Sequence, residues 1–275
     1  MQDFAGKVAV VTGGASGIGL GMVRAFASRG MKLVVADLDE AALNATIDEL
    51  ESGGTQAICQ LCDVSKLEEV EALAQLAMSE FGQVNVLCNN AGVGIPTPTS
   101  RFKLDDWQWI IDVDLWGPIY GVKTFLPLIE EAGEGHINST SSMAGLISTS
   151  ALSAYSVAKH GVVALMAALE RELRYKKSNI TASVLCPGPI NTNISQHSVD
   201  YRPSHQDKPR KIKDNKTTQS IEESLQAGMQ PDEVGELVAK AIEDNKFWIL
   251  THPHWAKGVQ KQLDALRDDQ TLTRG

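Results

Sequence analysis

The chain reads as an α/β protein, a doubly wound parallel sheet of about seven strands with helices on both faces. Three observations predict it. Short apolar runs near residues 7–11, 32–36, 55–60, 84–88, 135–139, 179–185 and 247–251 have strand length, and helical patterns separate them. Strands alternating with helices form right-handed βαβ units, hence a parallel sheet. The first run leads directly into a glycine-rich turn, and 275 residues with 43% hydrophobic content suit one sizeable domain spanning 1–275.

Val8-Ala-Val-Val11 is the first strand, Thr12-Gly-Gly-Ala-Ser-Gly-Ile-Gly19 the turn, and Leu20 to Arg29 a helix-compatible stretch. Glycines let the backbone approach a pyrophosphate, and the free N–H groups of a helix N-terminus favour the anion. The spacing is Gly13-x-x-x-Gly17-x-Gly19, which differs from the general dinucleotide fingerprint. Context carries the same chemistry. The second strand, Lys32-Leu-Val-Val-Ala36, ends in Asp37, about twenty residues on, where a ribose-binding acid belongs. Leu43, Ile47 and Leu50 then follow at helical spacing, as nearly do Leu67, Val70, Ala74, Ala77 and Phe81.

The second half brings a proton-transfer pattern. Tyr155-Ser-Val-Ala-Lys159 lies in a helix-favouring run, so phenol and ammonium share one face, one turn apart. An ammonium stabilises phenolate and lowers the phenol's pKa, which suits proton exchange nearer neutral pH. Thirteen residues upstream stands Ser142, in Asn138-Ser-Thr-Ser-Ser-Met-Ala-Gly145.

With Asp63-Val64, Asn89-Asn-Ala-Gly92 and Pro187-Gly-Pro-Ile-Asn-Thr192 in order between and after these motifs, the chain resembles the short-chain dehydrogenase/reductase family over most of its length. The resemblance implies a Rossmann-type fold and an enzyme transferring hydride between a secondary alcohol and NAD(H). Tyr155 would be the acid/base, Lys159 would keep phenolate available and hold the nicotinamide ribose, and Ser142 would hydrogen-bond the substrate oxygen. Ser141 is the alternative by proximity. Gly13, Ser16, Gly17, Ile18 and Gly19 would cradle the cofactor, with Asp63 and Val64 at the adenine and Asn90 on the adenosine side. Ile190 and Thr192 would meet the carboxamide. Asp37 selects NAD, because a carboxylate accepts from ribose hydroxyls and repels a 2′-phosphate, and no lysine or arginine stands in the turn or right after Asp37.

One position departs from the family. Asp114, in Asp112-Val-Asp-Leu-Trp-Gly117, stands where the family has an asparagine whose backbone carbonyl holds a relay water. Pro118, four residues on, has no N–H, so the Asp114 carbonyl loses its helical partner. A freed carbonyl for water and a plain kink at Gly117-Pro118 are both open, as is a role for the side chain.

Residues 193–230 are too long for an ordinary connection and are expected to form a substrate lid. The cluster of Arg202, Lys208, Arg210, Lys211 and Lys213 reads as solvated. Phe247-Trp-Ile-Leu250 is the last strand, and a helix over 255–268 closes the chain. His252 and His254 flank Pro253 with no third ligand, and Cys59-x-x-Cys62 has no second Cys/His pair at zinc spacing, so no metal is expected. Free cysteines in or beside strands behave as small hydrophobes.

A net charge of −9 argues against nucleic-acid and membrane-surface binding. With no apolar run of spanning length and no secretory segment, a soluble cytoplasmic protein is expected. Apolar residues in excess of one stripe on the helix after Tyr155, with the helix around Trp107 to Leu128, suggest a homodimer or homotetramer. Two other function classes stand beside the dehydrogenase. One is a catalytically silent binding or regulatory protein, against which the intact Ser142, Tyr155 and Lys159 argue. The other is an epimerase or dehydratase, against which the length and the Asn89 element argue. The stretch from Ser220 to Pro253 faintly resembles bacterial relatives that oxidise benzylic alcohols of lignin-type aryl ethers; hydroxysteroids and other bulky alcohols remain open.

Overall fold

A computed structural model of the chain describes Met1, residues 3–202 and residues 216–272. Strands and helices alternate in its first half: β1 (Val8–Thr12), α1 (Gly17–Ala27), β2 (Lys32–Asp37), α2 (Glu40–Ser52), β3 (Ala57–Leu61), α3 (Leu67–Phe81) and β4 (Val86–Asn89). Then come α4 (Leu104–Ile111), α5 (Gly117–Glu131), β5 (Gly135–Thr140), α6 (Ser153–Tyr175) and β6 (Ile180–Cys186). The remaining elements are α7 (Ile194–Asp200), α8 (Lys216–Gln226), α9 (Pro231–Glu243), β7 (Trp248–Leu250) and α10 (Ala256–Asp268). All seven expected strands form one sheet of order β3-β2-β1-β4-β5-β6-β7, and every pairing is parallel. This is a Rossmann-type sheet.

Successive residues of a strand face opposite sides, and here both sides are dry. Ala9, Val11, Leu33 and Val35 pack with Met22, Phe26, Leu43 and Val238 from α1, α2 and α9. Val8, Val10, Val34 and Leu87 pack with Leu73, Phe125, Ile129 and Met166 from α3, α5 and α6. Burying each such large side chain contributes roughly 1.5–3 kcal/mol. Because both faces are covered, the strands read as continuous apolar runs rather than alternating ones.

Local signals set the helix ends. The Asp39 carboxylate accepts from the Ala42 N–H at 3.0 Å and caps α2. Gln230 and Glu233 form a capping box that starts α9, with Pro231 in the first turn.

Two expectations are modified. Pro118 stands in the first turn of α5, directly after a π-helical turn. The backbone stays helical through Trp116 and Gly117, and a π-helical turn spans Asp112–Trp116, with the Gly117 N–H bonded to the Asp112 carbonyl five residues back. The wider turn accommodates a proline ring that would clash with the carbonyl four residues before it. Secondly, the apolar surplus on α6 goes mostly inward. Val162 and Met166 are fully buried, Leu169 nearly so, and Val163 and Leu165 pack partly against the same core.

Among the described residues of 193–230 stand the helices α7 and α8. Lys208, Arg210, Lys211 and Lys213 lie outside the described residues. Arg202 is no solvated loop residue: its Nε donates to the Asp106 carboxylate on α4 at 2.5 Å, and Asp106 is buried. Among the described residues no helix is long and apolar enough to cross a membrane, and no group of three or more His, Cys, Asp or Glu stands ready to hold a metal.

Candidate active site

The carboxyl ends of the strands open into one cavity of about 1090 Å³, centred where the sheet reverses direction between β1 and β4. Ligands of open α/β sheets bind at that crevice. The cavity reaches from Asp37 and Asp63 at one end, past Gly13, Ser16, Gly17 and Ile18, to Ser142, Tyr155 and Lys159. Val64, Asn90, Ile190 and Thr192 also line it. Of the residues the sequence singled out, Gly19 and Asp114 alone stand behind this lining.

Gly19 shapes the turn from below: a side chain there would collide with the Gly13 carbonyl oxygen. Ser16 is the N-cap of α1 with extended backbone, yet its hydroxyl makes no cap bond. That leaves it available, beside the helix N-terminus, for an anionic group. Asp37 is held by the turn itself: Oδ2 accepts from the Ala15 N–H at 3.0 Å and Oδ1 from the Leu38 N–H at 2.8 Å. A cradle of backbone donors with a carboxylate at its far end fits a dinucleotide carrying free ribose hydroxyls.

Asn90, which lines the cavity, also has a structural task. Its amide donates to the carbonyls of Thr12 and Gly13, both at 3.2 Å, and its carbonyl oxygen accepts from Thr140 Oγ1 at 3.1 Å. The side chain thus braces the glycine turn against β5. Thr12 completes the brace, its hydroxyl accepting from the Asn90 and Ala91 N–H groups at 3.0 and 3.2 Å. Asp63 is likewise held locally, Oδ1 accepting from the Ser65 hydroxyl at 2.6 Å.

At the other end α6 presents Tyr155 and Lys159. The Ser141 hydroxyl is buried and donates to the Lys159 carbonyl at 2.8 Å, so the choice between the two serines falls to Ser142. Ser142 Oγ accepts from the Ala144 N–H at 3.1 Å and lines the same cavity as Tyr155. Lys159 Nζ lies 5.5 Å from the Tyr155 ring centroid and donates to the Thr140 carbonyl at 3.2 Å. Burial pushes the Tyr155 phenol above its ordinary pKa and Asp114 adds to the push, while Lys159 and the Ser142 hydroxyl pull it down. The lysine therefore acts as expected, but burial outweighs it. The thiols nearby are inert: burial pushes both Cys62 and Cys186 up to about 12.

Two long-range supports were hidden from the sequence. The Gly188 N–H donates to Thr251 Oγ1 at 2.9 Å, and Thr251 Oγ1 meets His252 Nδ1 at 2.8 Å, so the end of β7 holds the Pro187–Gly188 turn. Ser198 on α7 accepts from the Gly94 N–H at 2.9 Å, tying that helix to the loop after β4. Each pairs residues more than sixty positions apart, with no local pattern to announce them.

A parallel sheet with a glycine turn at its switch point, and serine, tyrosine and lysine converging beside it, defines a nucleotide-dependent dehydrogenase scaffold. The chain belongs to the short chain dehydrogenase family, whose model matches residues 7–202. It is 34% identical over 270 residues to a C alpha-dehydrogenase of Sphingobium sp. strain SYK-6, covering 98% of this chain and 88% of that one. A CLA biosynthesis dehydrogenase/reductase of Lactiplantibacillus plantarum is 30% identical over 275 residues, covering 98% of this chain and 96% of the relative. Among solved structures, a short chain dehydrogenase/reductase from Burkholderia phymatum in complex with NAD matches with a TM-score of 0.93 and 34% identity, over 100% of this chain and 99% of that one.

Proposed function

We propose that this protein is an NAD(H)-dependent oxidoreductase interconverting a neutral, bulky or aromatic secondary alcohol and its ketone. The observation that carries the reading is the grouping of Ser142, Tyr155 and Lys159 in the same cavity as Asp37 and the glycine turn. NAD(H) supplies the hydride acceptor or donor when bound; the chain must bind it, orient it and move one proton. Tyr155 takes the alcohol proton at its hydroxyl oxygen during oxidation and returns it in reduction. Ser142 donates to the same substrate oxygen as charge develops there. Lys159 holds positive charge beside the phenol. Ile190 and Thr192, on the turn braced by Thr251, line the nicotinamide end.

The substrate class follows from the lining. Met143, Ile147, Leu152, Leu225 and Trp255 face the cavity, and among the described lining residues the only lysine or arginine is Lys159. Beyond Lys159, none of those described residues offers a lysine or arginine to an anionic substrate. The apolar character agrees with relatives named for dehydrogenase activity on larger molecules. A hydroxysteroid-type alcohol suits the same walls. Helices α7 and α8 supply Ile194, His197, Tyr201 and Leu225 to the cavity, which supports their reading as a substrate lid. The Ser198–Gly94 and Arg202–Asp106 contacts hold it down.

The test is incubation of pure protein with NAD+ and a panel of secondary alcohols, following reduced nicotinamide by absorbance. Tyr155→Phe should abolish turnover, leaving under a few per cent, the scale of losing an acid/base catalyst, with fold and NAD+ binding retained. Turnover of no alcohol or ketone would favour a silent binding protein on this scaffold. Retained activity in Tyr155→Phe would place the base elsewhere.

A further inference from the structure

We propose that the carboxylate of Asp114 positions Lys159 and opposes its pull on Tyr155, so that the tyrosine of this chain titrates at higher pH than it would with a neutral amide at position 114. The inference rests on the reading of Tyr155 and Lys159 as the proton-transferring pair.

The geometry is specific. Asp114 sits in the π turn between α4 and α5 and is wholly buried. Its Oδ1 accepts from the Val93 N–H at 2.7 Å. Its Oδ2 lies 3.5 Å from Lys159 Nζ and has no hydrogen-bond partner of its own. The two groups that the carboxyl meets, an N–H and an ammonium, are both donors, an arrangement that favours the carboxylate against the cost of burial. Burial pushes Asp114 above its ordinary pKa, and Lys159 and the Val93 N–H resist that push. The space between the two charges is guarded: a Cβ at Gly92 would stand 3.2 Å from both Asp114 Oδ1 and Lys159 Nζ. Only glycine leaves the pair undisturbed.

Lys159 Nζ thus lies 3.5 Å from the Asp114 carboxylate and 5.5 Å from the Tyr155 ring centroid, and the two side chains compete for its charge. An asparagine would keep an acceptor for the Val93 N–H and give up the charge. The change from amide to carboxylate therefore alters the field at Tyr155 while preserving the local hydrogen bond. The groups facing Tyr155 are Lys159 from its own helix, Asp114 from the π turn, Ser142 from the segment after β5 and Cys186 at the end of β6. Ser142 carries no charge, and the Cys186 thiol is held neutral by burial. Asp114 and Lys159 are then the charges that count.

The decisive variant is Asp114→Asn, read in two ways. Phenolate absorbance is titrated in the wild type and in Asp114→Asn, each against the same protein carrying Tyr155→Phe, so that the other three tyrosines subtract out. Separately, kcat/KM for an alcohol with NAD+ is measured across pH. Removing one nearby charge should move the Tyr155 titration and the rising limb of the oxidation profile down together, by about one pH unit, a tenfold gain in phenolate below the midpoint. A titration that stays put or moves up, in a protein whose circular dichroism and melting match the wild type, overturns the proposal. Should Asp114→Asn fail to fold, Asp114→Ser removes the same charge and faces the same criterion. The spectral titration needs no substrate. A downward shift in a protein that oxidises no alcohol would count against the proposed reaction and leave the coupling standing.

Discussion

Asp37→Ala isolates cofactor choice. The Asp37 carboxylate lines the cavity at the end of β2, pinned by the Ala15 and Leu38 N–H groups, and no lysine or arginine among the described lining residues stands near it. A ribose 2′-hydroxyl would donate to it; a 2′-phosphate would face it charge to charge. Two unit charges 4 Å apart repel by about 4 kcal/mol at the effective dielectric of a protein surface. Solvent in the open groove screens much of this, leaving about 1–3 kcal/mol, the scale of a hydrogen bond to a charged group. At tenfold per 1.4 kcal/mol the preference for NAD+ over NADP+ is about 5- to 150-fold in kcat/KM. The assay compares both cofactors at one alcohol concentration series, in wild type and Asp37→Ala. The variant should lose efficiency with NAD+, gain it with NADP+, and bring the ratio towards one. It should also melt somewhat lower, because the Ala15 and Leu38 N–H groups lose their acceptor. Equal efficiencies in the wild type would refute the assignment. A variant whose ratio did not move would show that something other than this charge excludes the phosphate.

Acid stability offers a second check. His136 is wholly buried between Thr181 Oγ1 and Ser183 Oγ, both at 2.7 Å, and burial holds its pKa down at about 3. A histidine with a depressed folded pKa contributes stability above its unfolded value of about 6.5 and loses it as pH falls towards the folded value, by up to about 1.4 kcal/mol per unit. Wild-type Tm should therefore fall faster than that of His136→Gln between pH 6.5 and 4; parallel curves would contradict this. For assembly, Trp116 and Val157 stay 43% and 51% exposed on neighbouring stretches of the π turn and α6, more than lone apolar residues on a monomer surface explain well. Light scattering at micromolar concentration should report a dimer or tetramer, and a monomer would sink the expectation.

The strands were legible because burial on both faces removes the alternation that makes strands ambiguous. Val8 to Val11 and Lys32 to Ala36 are apolar almost throughout, and turns rich in glycine or polar residues bound them. For the same reason the sequence did not say which helix covers which face, since both sets of strand residues are equally apolar. The grouping of Ser142, Tyr155 and Lys159 in one cavity was legible through spacing: Tyr155 and Lys159 share a helix, and Ser142 lies a short loop before it. Such local relations survive in one dimension.

What the sequence could not show is long-range and directional. Nothing near Asn90 reveals that its amide braces Thr12 and Gly13, because those acceptors lie more than seventy residues away. Pro118 announced a disturbed helix, but the form depended on tertiary contacts. A kinked helix would carry Val113 and Phe125 out of the core they share beneath the sheet, whereas a π turn absorbs the proline and keeps both segments packed. The same turn carries Asp114 inward, beneath Gly92 and against Lys159. The proline that seemed to matter for the backbone carbonyl at position 114 thus belongs to the local geometry that aims the side chain. Position 114 is where the resemblance led to an asparagine being expected, and there the structure sets a buried aspartate 3.5 Å from Lys159 Nζ.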